Sequence, residues 1–84
     1  MQEVDILSEA DRIIRGERRG DYGPAKESFD AIAKTWSAVL KIDVTPVQVA
    51  LCMIGLKICR EANKHADDNL VDIAGYAALI QEIR

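Results

Sequence analysis

Aromatic residues, cysteines and prolines are all scarce in this 84-residue sequence. It contains one Trp, one Phe and two Tyr, together with two Cys, two Pro and one His. No Cys-x-x-Cys pair or His pair occurs, so the spacing of zinc ligands is absent. There is also no Walker-type glycine loop and no serine with the partners of a catalytic triad. These absences exclude a zinc site and nucleophilic catalysis.

Long apolar runs and leader features are also missing. No run approaches the roughly 18 apolar residues of a membrane-spanning helix. The N-terminal segment MQEVDILSEADR is acidic and amphipathic, whereas a signal peptide begins with a basic segment followed by an apolar one. We therefore expect a cytoplasmic protein without a membrane partner.

The composition is that of a small globular protein, with 49% hydrophobic and 30% charged residues. A chain of 84 residues forms one domain of limited buried surface. Domains of this size gain stability when copies associate. We therefore expect a single domain, residues 1–84, that forms a homo-oligomer.

The formal net charge of −3 is unevenly distributed. Between Arg12 and Lys26 five basic residues stand against two acidic ones, a net charge of +3, which leaves −6 for the remainder of the chain. A protein that binds long nucleic acids spreads positive charge over a whole face. This sequence instead indicates a small anionic ligand.

Apolar residues recur at helical spacing in four segments, which predicts an all-α domain of four helices. The predicted helices span Val4 to Arg15, Pro24 to Leu40, Pro46 to Lys64 and Asp68 to Ile83. The third is apolar on nearly every side, so we predict that it lies at the centre of the domain. A Thr-x-x-Gln capping box formed by Thr45 and Gln48 marks its start.

Several residues that often carry chemistry have structural interpretations here. Cys52 and Cys59 are seven residues apart on the third helix, about 10 Å, which is beyond disulfide reach within one chain. We interpret them as buried free thiols. Trp36 is interpreted as a core residue whose indole N–H reaches a partner or a pocket rim. His65 is interpreted as a surface residue at a helix C-terminus.

The segment RGERRGDYGP, residues 15–24, predicts a loop because it contains three glycines and one proline. Arg15, Arg18 and Arg19 lie in it, and Tyr22 supplies an aromatic ring. Glycines allow backbone N–H groups to approach a ligand closely. The loop is therefore either a solvated basic turn or part of an anion-binding site.

Two lines of polar residues can face each other across the third and fourth helices. Asp68, Asp72 and Tyr76 recur every four residues on the fourth helix, and Lys57 and Arg60 lie on the third. One interpretation is a structural salt-bridge network. The other is a site in which the cations meet phosphate, while the carboxylates hold sugar hydroxyls or a divalent ion.

Nearly the whole chain carries an ordered set of motifs. They are Arg15-Gly16, Tyr22-Gly23, Phe29, Trp36, Thr45-Pro46, Lys57-x-x-Arg60 and Asp68-Asn69-x-x-Asp72-x-x-Gly75-Tyr76. Together they resemble a family of small phage and prophage proteins of uncharacterised function, sometimes described as MazG-like. MazG-like proteins are all-α, oligomeric nucleotide pyrophosphohydrolases. The resemblance therefore implies a MazG-like helical arrangement and nucleotide binding in the cytoplasm of a bacterial host.

The sequence departs from the metal-binding pattern of that superfamily, which holds magnesium with a Glu-x-x-Glu pair on one helix and a Glu-x-x-Asp pair on the next. Here the third helix offers only Glu61, and the last pair reads Asn69-x-x-Asp72. A Glu27-x-x-Asp30 pair exists on an earlier helix. Because these carboxylates are missing, the departure weakens the expectation of two-metal hydrolysis.

The chain is also similar in size and general character to phage sponges, which sequester the cyclic nucleotide signals of bacterial antiviral defence. Our first hypothesis is binding of a nucleotide or nucleotide-derived signal without turnover and without a cofactor. The second is a MazG-like pyrophosphohydrolase, which would require magnesium. The third is a protein-binding inhibitor with no small ligand.

The binding hypothesis predicts that basic side chains from the loop and from the third helix converge on one anionic site. Tyr22 or Trp36 would stack on a base, and Asp72 would bond a ribose hydroxyl or orient Arg60. The predicted ligand-binding residues are Arg15, Arg18, Arg19, Tyr22, Trp36, Lys57, Arg60, Asp68, Asp72 and Tyr76.

Overall fold

The computed structural model describes residues 4–16 and 24–84, and these form four α-helices. Helix α1 spans Ile6–Arg15, α2 spans Ala25–Leu40, α3 spans Pro46–Asn63 and α4 spans Asp67–Ile83. The predicted all-α fold is therefore confirmed, and the predicted bounds differ by one or two residues. Within the described ranges no helix combines the length and the apolar character needed to cross a membrane.

Local side-chain chemistry explains where these helices begin. The Asp5 carboxylate accepts a hydrogen bond of 3.2 Å from the Ser8 backbone N–H, which caps α1 and lowers the pKa of Asp5. At α3 the Thr45 hydroxyl accepts from the Gln48 backbone N–H at 3.1 Å, and the Gln48 side chain accepts from the Thr45 N–H at 2.9 Å. The predicted capping box is therefore confirmed.

Helix α4, and not α3, lies at the centre of the described part of the domain. It packs against α1, α2 and α3, whereas α3 packs against α2 and α4 and α1 packs against α4. At Gly75 of α4 an added Cβ would lie 3.6 Å from Ile14 Cγ2, an ordinary van der Waals distance, so α1 packs directly over this position. The prediction of a central third helix is wrong because an apolar circumference does not specify which sides are covered.

The buried core is formed by residues from α2, α3 and α4. The rings of Phe29 and Tyr76 meet edge to face, with centroids 6.3 Å apart and planes at 87°. The buried cluster consists of Phe29, Ala33, Val49, Ala50, Tyr76, Leu79 and Ile83. Helix α1 adds no fully buried residue to this cluster, but its Ile14 packs against it.

One side of α3 is exposed although its side chains are apolar. Leu51 and Ile58 are both 54% exposed, and Leu56 is 41% exposed. Cys52 and Cys59 are free thiols and are also exposed. The prediction of buried thiols is therefore wrong for a single chain, because α2 and α4 cover only the opposite side of α3.

The link between α2 and α3 is held by one serine. The Ser37 hydroxyl donates to the Ala33 carbonyl at 2.7 Å and accepts from the Val44 N–H at 2.8 Å. Lys41 follows α2 in a left-handed conformation, with φ 59° and ψ 37°. A side chain with a Cβ is strained in this conformation, and glycine is the usual residue there.

We predict that Lys41→Gly raises the free energy of unfolding by about 1 kcal/mol, because glycine adopts the left-handed conformation without strain. The matched control is Lys34→Gly, at an exposed position inside α2. There the same change should lower the free energy of unfolding by about 1 kcal/mol through lost helix propensity. Urea denaturation of both variants measures the two effects, and destabilisation by Lys41→Gly would contradict the strain argument.

Candidate functional site

A largely buried ion pair joins α3 to α4. Lys57 Nζ lies 2.8 Å from Asp72 Oδ2, and the two side chains are 14% and 27% exposed. Arg60 is exposed, and between described residues its side chain makes no ion pair or hydrogen bond. Asp72 therefore pairs with Lys57 and does not orient Arg60.

Glu61 connects the end of α3 to the start of α4. Its Oε1 accepts hydrogen bonds from the Ala66 N–H at 3.1 Å and from Asn69 Nδ2 at 3.2 Å, while Oε2 faces His65 Nδ1. Asn69 is buried, so its amide depends on this carboxylate. The hydrogen bond from His65 is the main cause that lowers the pKa of Glu61. Glu61 thus has a structural role at this corner.

His65 lies between two carboxylates at the surface. Its Nδ1 faces Glu61, and its Nε2 lies 3.2 Å from Asp67 Oδ1. The hydrogen bond to Glu61 raises the pKa of His65 above its ordinary value of 6.5, because the cationic ring can donate to both carboxylates. The predicted surface location of His65 is confirmed. The direct partners of its ring are the Glu61 and Asp67 carboxylates, in addition to the helix C-terminus considered from the sequence.

An apolar cavity of about 390 Å³ opens between α2, α3 and α4. Lys57 and Asp72 do not line it, but each is one helical turn from a lining residue, Lys57 from Met53 and Asp72 from Tyr76. Pockets for small ligands have this size and combine apolar and aromatic walls with a few polar groups. The cavity is lined by Ser28, Phe29, Ile32, Trp36, Val49, Met53 and Tyr76.

The two aromatic residues predicted for the site differ in exposure. Trp36 is half-buried and forms part of the cavity wall, so its ring is accessible from the cavity. Tyr76 is only 7% exposed and packs against Phe29 in the core. Tyr76 therefore belongs to the core and not to an exposed polar line, because α4 is covered on several sides. Sequence reasoning missed Met53 as a lining residue, although it lies one turn from Lys57.

The remaining predicted residues do not join this cavity in the described structure. Arg15 is exposed and pairs with Asp11 on its own helix, a contact that raises the pKa of Arg15. Asp68 is exposed and lines a separate groove of about 480 Å³ between α1 and α4. The predicted residues Arg18, Arg19 and Tyr22 lie outside the described residues.

The polar groups on the facing sides of α3 and α4 do not fit a magnesium ion. Asp72 binds the Lys57 ammonium group, and Glu61 accepts hydrogen bonds from backbone and side-chain donors. In residues 4–16 and 24–84 no three His, Cys, Asp or Glu side chains are grouped so that they could hold a metal ion. The carboxylates at this interface are therefore used for helix packing.

The chain belongs to a family described as Domain of unknown function (DUF6378), whose sequence profile matches residues 5–84. It is 43% identical over 83 residues to the Gene 55 protein of Mycobacterium phage L5 and 39% identical over 79 residues to the Gene 55 protein of Mycobacterium phage D29. These matches cover 96% and 93% of the chain but only 53% and 52% of the relatives.

The chain thus spans about half the length of these phage relatives. No solved structure matches it. The resemblance to small phage proteins of uncharacterised function is confirmed. The MazG-like relationship stays a prediction.

We predict that the His65 contacts make stability depend on pH near neutrality. A raised pKa in the folded state means that the contribution is complete below pH 6.5 and is lost as pH rises through the folded pKa. The melting-temperature difference between the wild type and His65→Gln should therefore shrink between about pH 6 and about pH 8. Thermal scans across this range test it, and a constant difference would contradict it.

We predict that Lys57→Met lowers the free energy of unfolding by about 1–2 kcal/mol, because it leaves the largely buried Asp72 carboxylate without its partner. The methionine retains most of the apolar stem. The control is Arg60→Ala, which should change stability by less than about 0.5 kcal/mol. Urea denaturation compares the variants, and equal losses would show that Arg60 also supports the fold.

Proposed function

We propose that this protein binds a nucleotide or nucleotide-derived signal, such as a cyclic nucleotide, without turning it over. The observation that carries the proposal is the position of Trp36 in the wall of an apolar cavity that is also lined by Met53, one helical turn before Lys57. A basic side chain suited to phosphate is therefore one helical turn away from a cavity wall that offers an aromatic surface to a base.

The aromatic end of the cavity suits a nucleobase. Trp36 offers an accessible ring, while Phe29 and Tyr76 are held in place by their edge-to-face contact. A base stacked on a tryptophan contributes about 1–3 kcal/mol to binding, and this contribution depends little on the identity of the base. Ser28, also in the lining, supplies a polar group to the same cavity.

The basic side chains of Lys57 and Arg60 on α3 suit a phosphate group. Met53 lines the cavity, Lys57 follows one turn later, and Arg60 follows three residues after Lys57 on the same side of α3. Arg60 lies about 10 Å along the helix from Met53, within the length of a nucleotide. Since Arg60 is exposed and makes no ion pair with a described residue, its guanidinium group can bind phosphate. Arg18, Arg19 and Tyr22 stay predicted contributors from sequence.

Binding without turnover is supported by the engagement of the Asp72 and Glu61 carboxylates in contacts between α3 and α4. A MazG-like, magnesium-dependent pyrophosphohydrolase is the alternative, and it would require those contacts to open. In a phage, binding without turnover would act as a sponge that removes an immune signal from the host cytoplasm. The Gene 55 relatives are phage proteins, which suits this role. Neither a membrane nor a long nucleic acid is part of the proposal.

The proposal includes association of copies into a homo-oligomer. Its support is the number of large apolar side chains that remain exposed, among them Leu40, Ile42, Leu51 and Ile58. A third possibility, an inhibitor that binds a host protein, draws on the same surface.

A panel of nucleoside triphosphates, cyclic dinucleotides and ADP-ribose derivatives tests binding by thermal shift. A ligand at 100 times its dissociation constant should stabilise the protein by about 2.7 kcal/mol. Recovery of intact ligand from denatured protein supports binding without turnover. Chromatographic detection of hydrolysis products that form only with magnesium would establish the enzymatic alternative, and the absence of any shift would contradict both.

We predict that Trp36→Leu and Arg60→Ala each weaken binding of the best panel ligand about 5-fold to 10-fold, through lost stacking and a lost exposed phosphate contact. The control is Lys34→Ala, at an exposed position that does not line this cavity. Titration calorimetry measures the affinities. Unchanged affinity in an Arg60→Ala protein of unchanged melting temperature would remove the phosphate site.

A further inference from the structure

The exposed side of α3 forms a continuous apolar surface, which we call the α3 face. It is extended at one end by Leu40 of α2 and by Ile42 of the following link. A groove of about 310 Å³ joins the two parts and is lined by residues that include Trp36, Leu51 and Cys52. The residues of the α3 face are Leu51, Cys52, Gly55, Leu56, Ile58 and Cys59.

The large apolar side chains of this surface supply more than half of the area that one side of a standard interface buries. Leu40, Ile42, Leu51, Leu56 and Ile58 are between 41% and 62% exposed. Together they present roughly 500 Å² of apolar area, near the upper end for the largest patch on a monomer. A standard interface buries about 800 Å² on each partner, so these side chains with the cysteines and the rim would supply most of it.

Gly55 lies in the middle of the α3 face. A Cβ added there would meet no atom within 4 Å, so no described residue covers this position. Glycine inside a helix costs about 1 kcal/mol relative to alanine. Its position in the middle of an apolar surface allows a second helix to approach the backbone of α3 closely.

We propose that the α3 face binds a second copy of this chain, with the two α3 helices antiparallel and crossing between Gly55 and Leu56. The inference rests on the proposed association of copies and does not depend on ligand binding. A two-fold axis makes such an interface self-complementary, because the same residues serve both copies.

The helix dipoles favour the antiparallel arrangement. An antiparallel pair aligns the two helix dipoles in opposite directions, whereas a parallel pair would place like ends of the dipoles side by side.

The positions of Cys52 and Cys59 distinguish an antiparallel from a parallel pair of α3 helices. The point midway between Cys52 and Cys59 lies between Gly55 and Leu56, which is the proposed crossing point. Cys52 therefore lies opposite Cys59 of the second copy, and Cys59 lies opposite its Cys52. A parallel pair would instead place each cysteine opposite its own counterpart. Within one chain the two thiols are about 10 Å apart along the helix, too far for a disulfide.

Oxidation with copper phenanthroline and oxygen tests the arrangement. Each bridge forms when two thiols lose two protons and two electrons to the oxidant. The wild type should yield disulfide-linked dimers on a non-reducing gel, and Cys52→Ser and Cys59→Ser should each lose more than about 90% of this product. Retention of the product in both single variants, or a wild-type dimer in solution that yields no product, would overturn the antiparallel arrangement.

Sedimentation velocity separates this outcome from failure of association itself. The wild type should be a dimer at micromolar concentration, and Leu51→Glu should sediment as a folded monomer. The matched control is Leu7→Glu, because Leu7 is 75% exposed on α1, which packs against α4. A monomeric wild type would overturn both the interface and the proposed association. A dimer that persists in Leu51→Glu would overturn the interface alone.

Discussion

The packing of α4 against the three other described helices is the constraint on which the rest of the structure depends. Gly75 faces Ile14 of α1 on one side of α4, while Tyr76 packs against Phe29 on another side. With α4 held in this orientation, Asp72 faces α3 and meets Lys57. The core, the ion pair and the cavity beside it therefore follow from the placement of one helix.

Helix α3 has two apolar sides with different roles. One side contributes Val49 and Ala50 to the core. The other remains exposed in the single chain and carries Gly55 without a neighbour among the described residues. Trp36 lines both the cavity proposed for a base and the groove that extends the α3 face. Association of copies would therefore cover surface directly beside the proposed ligand site.

The carboxylates between α3 and α4 are engaged in contacts between these two helices. Where a metal-dependent enzyme needs free carboxylates, Asp72 is engaged by an ammonium group and Glu61 by the donors of the corner. The Gene 55 relatives are about twice as long as the matched region, so they contain sequence beyond the domain described above.

Local features were determined by the sequence alone: the four helical segments, the capping box of α3 and the exposed end position of His65. These features depend on residues within a turn or two of one another, so the spacing of residues is enough to predict them. Only the tertiary structure decided that α4 is central, that Tyr76 is buried, that Cys52 is exposed and that Asp72 pairs with Lys57. Periodicity shows which side of a helix is apolar, but contacts between distant segments decide what covers that side.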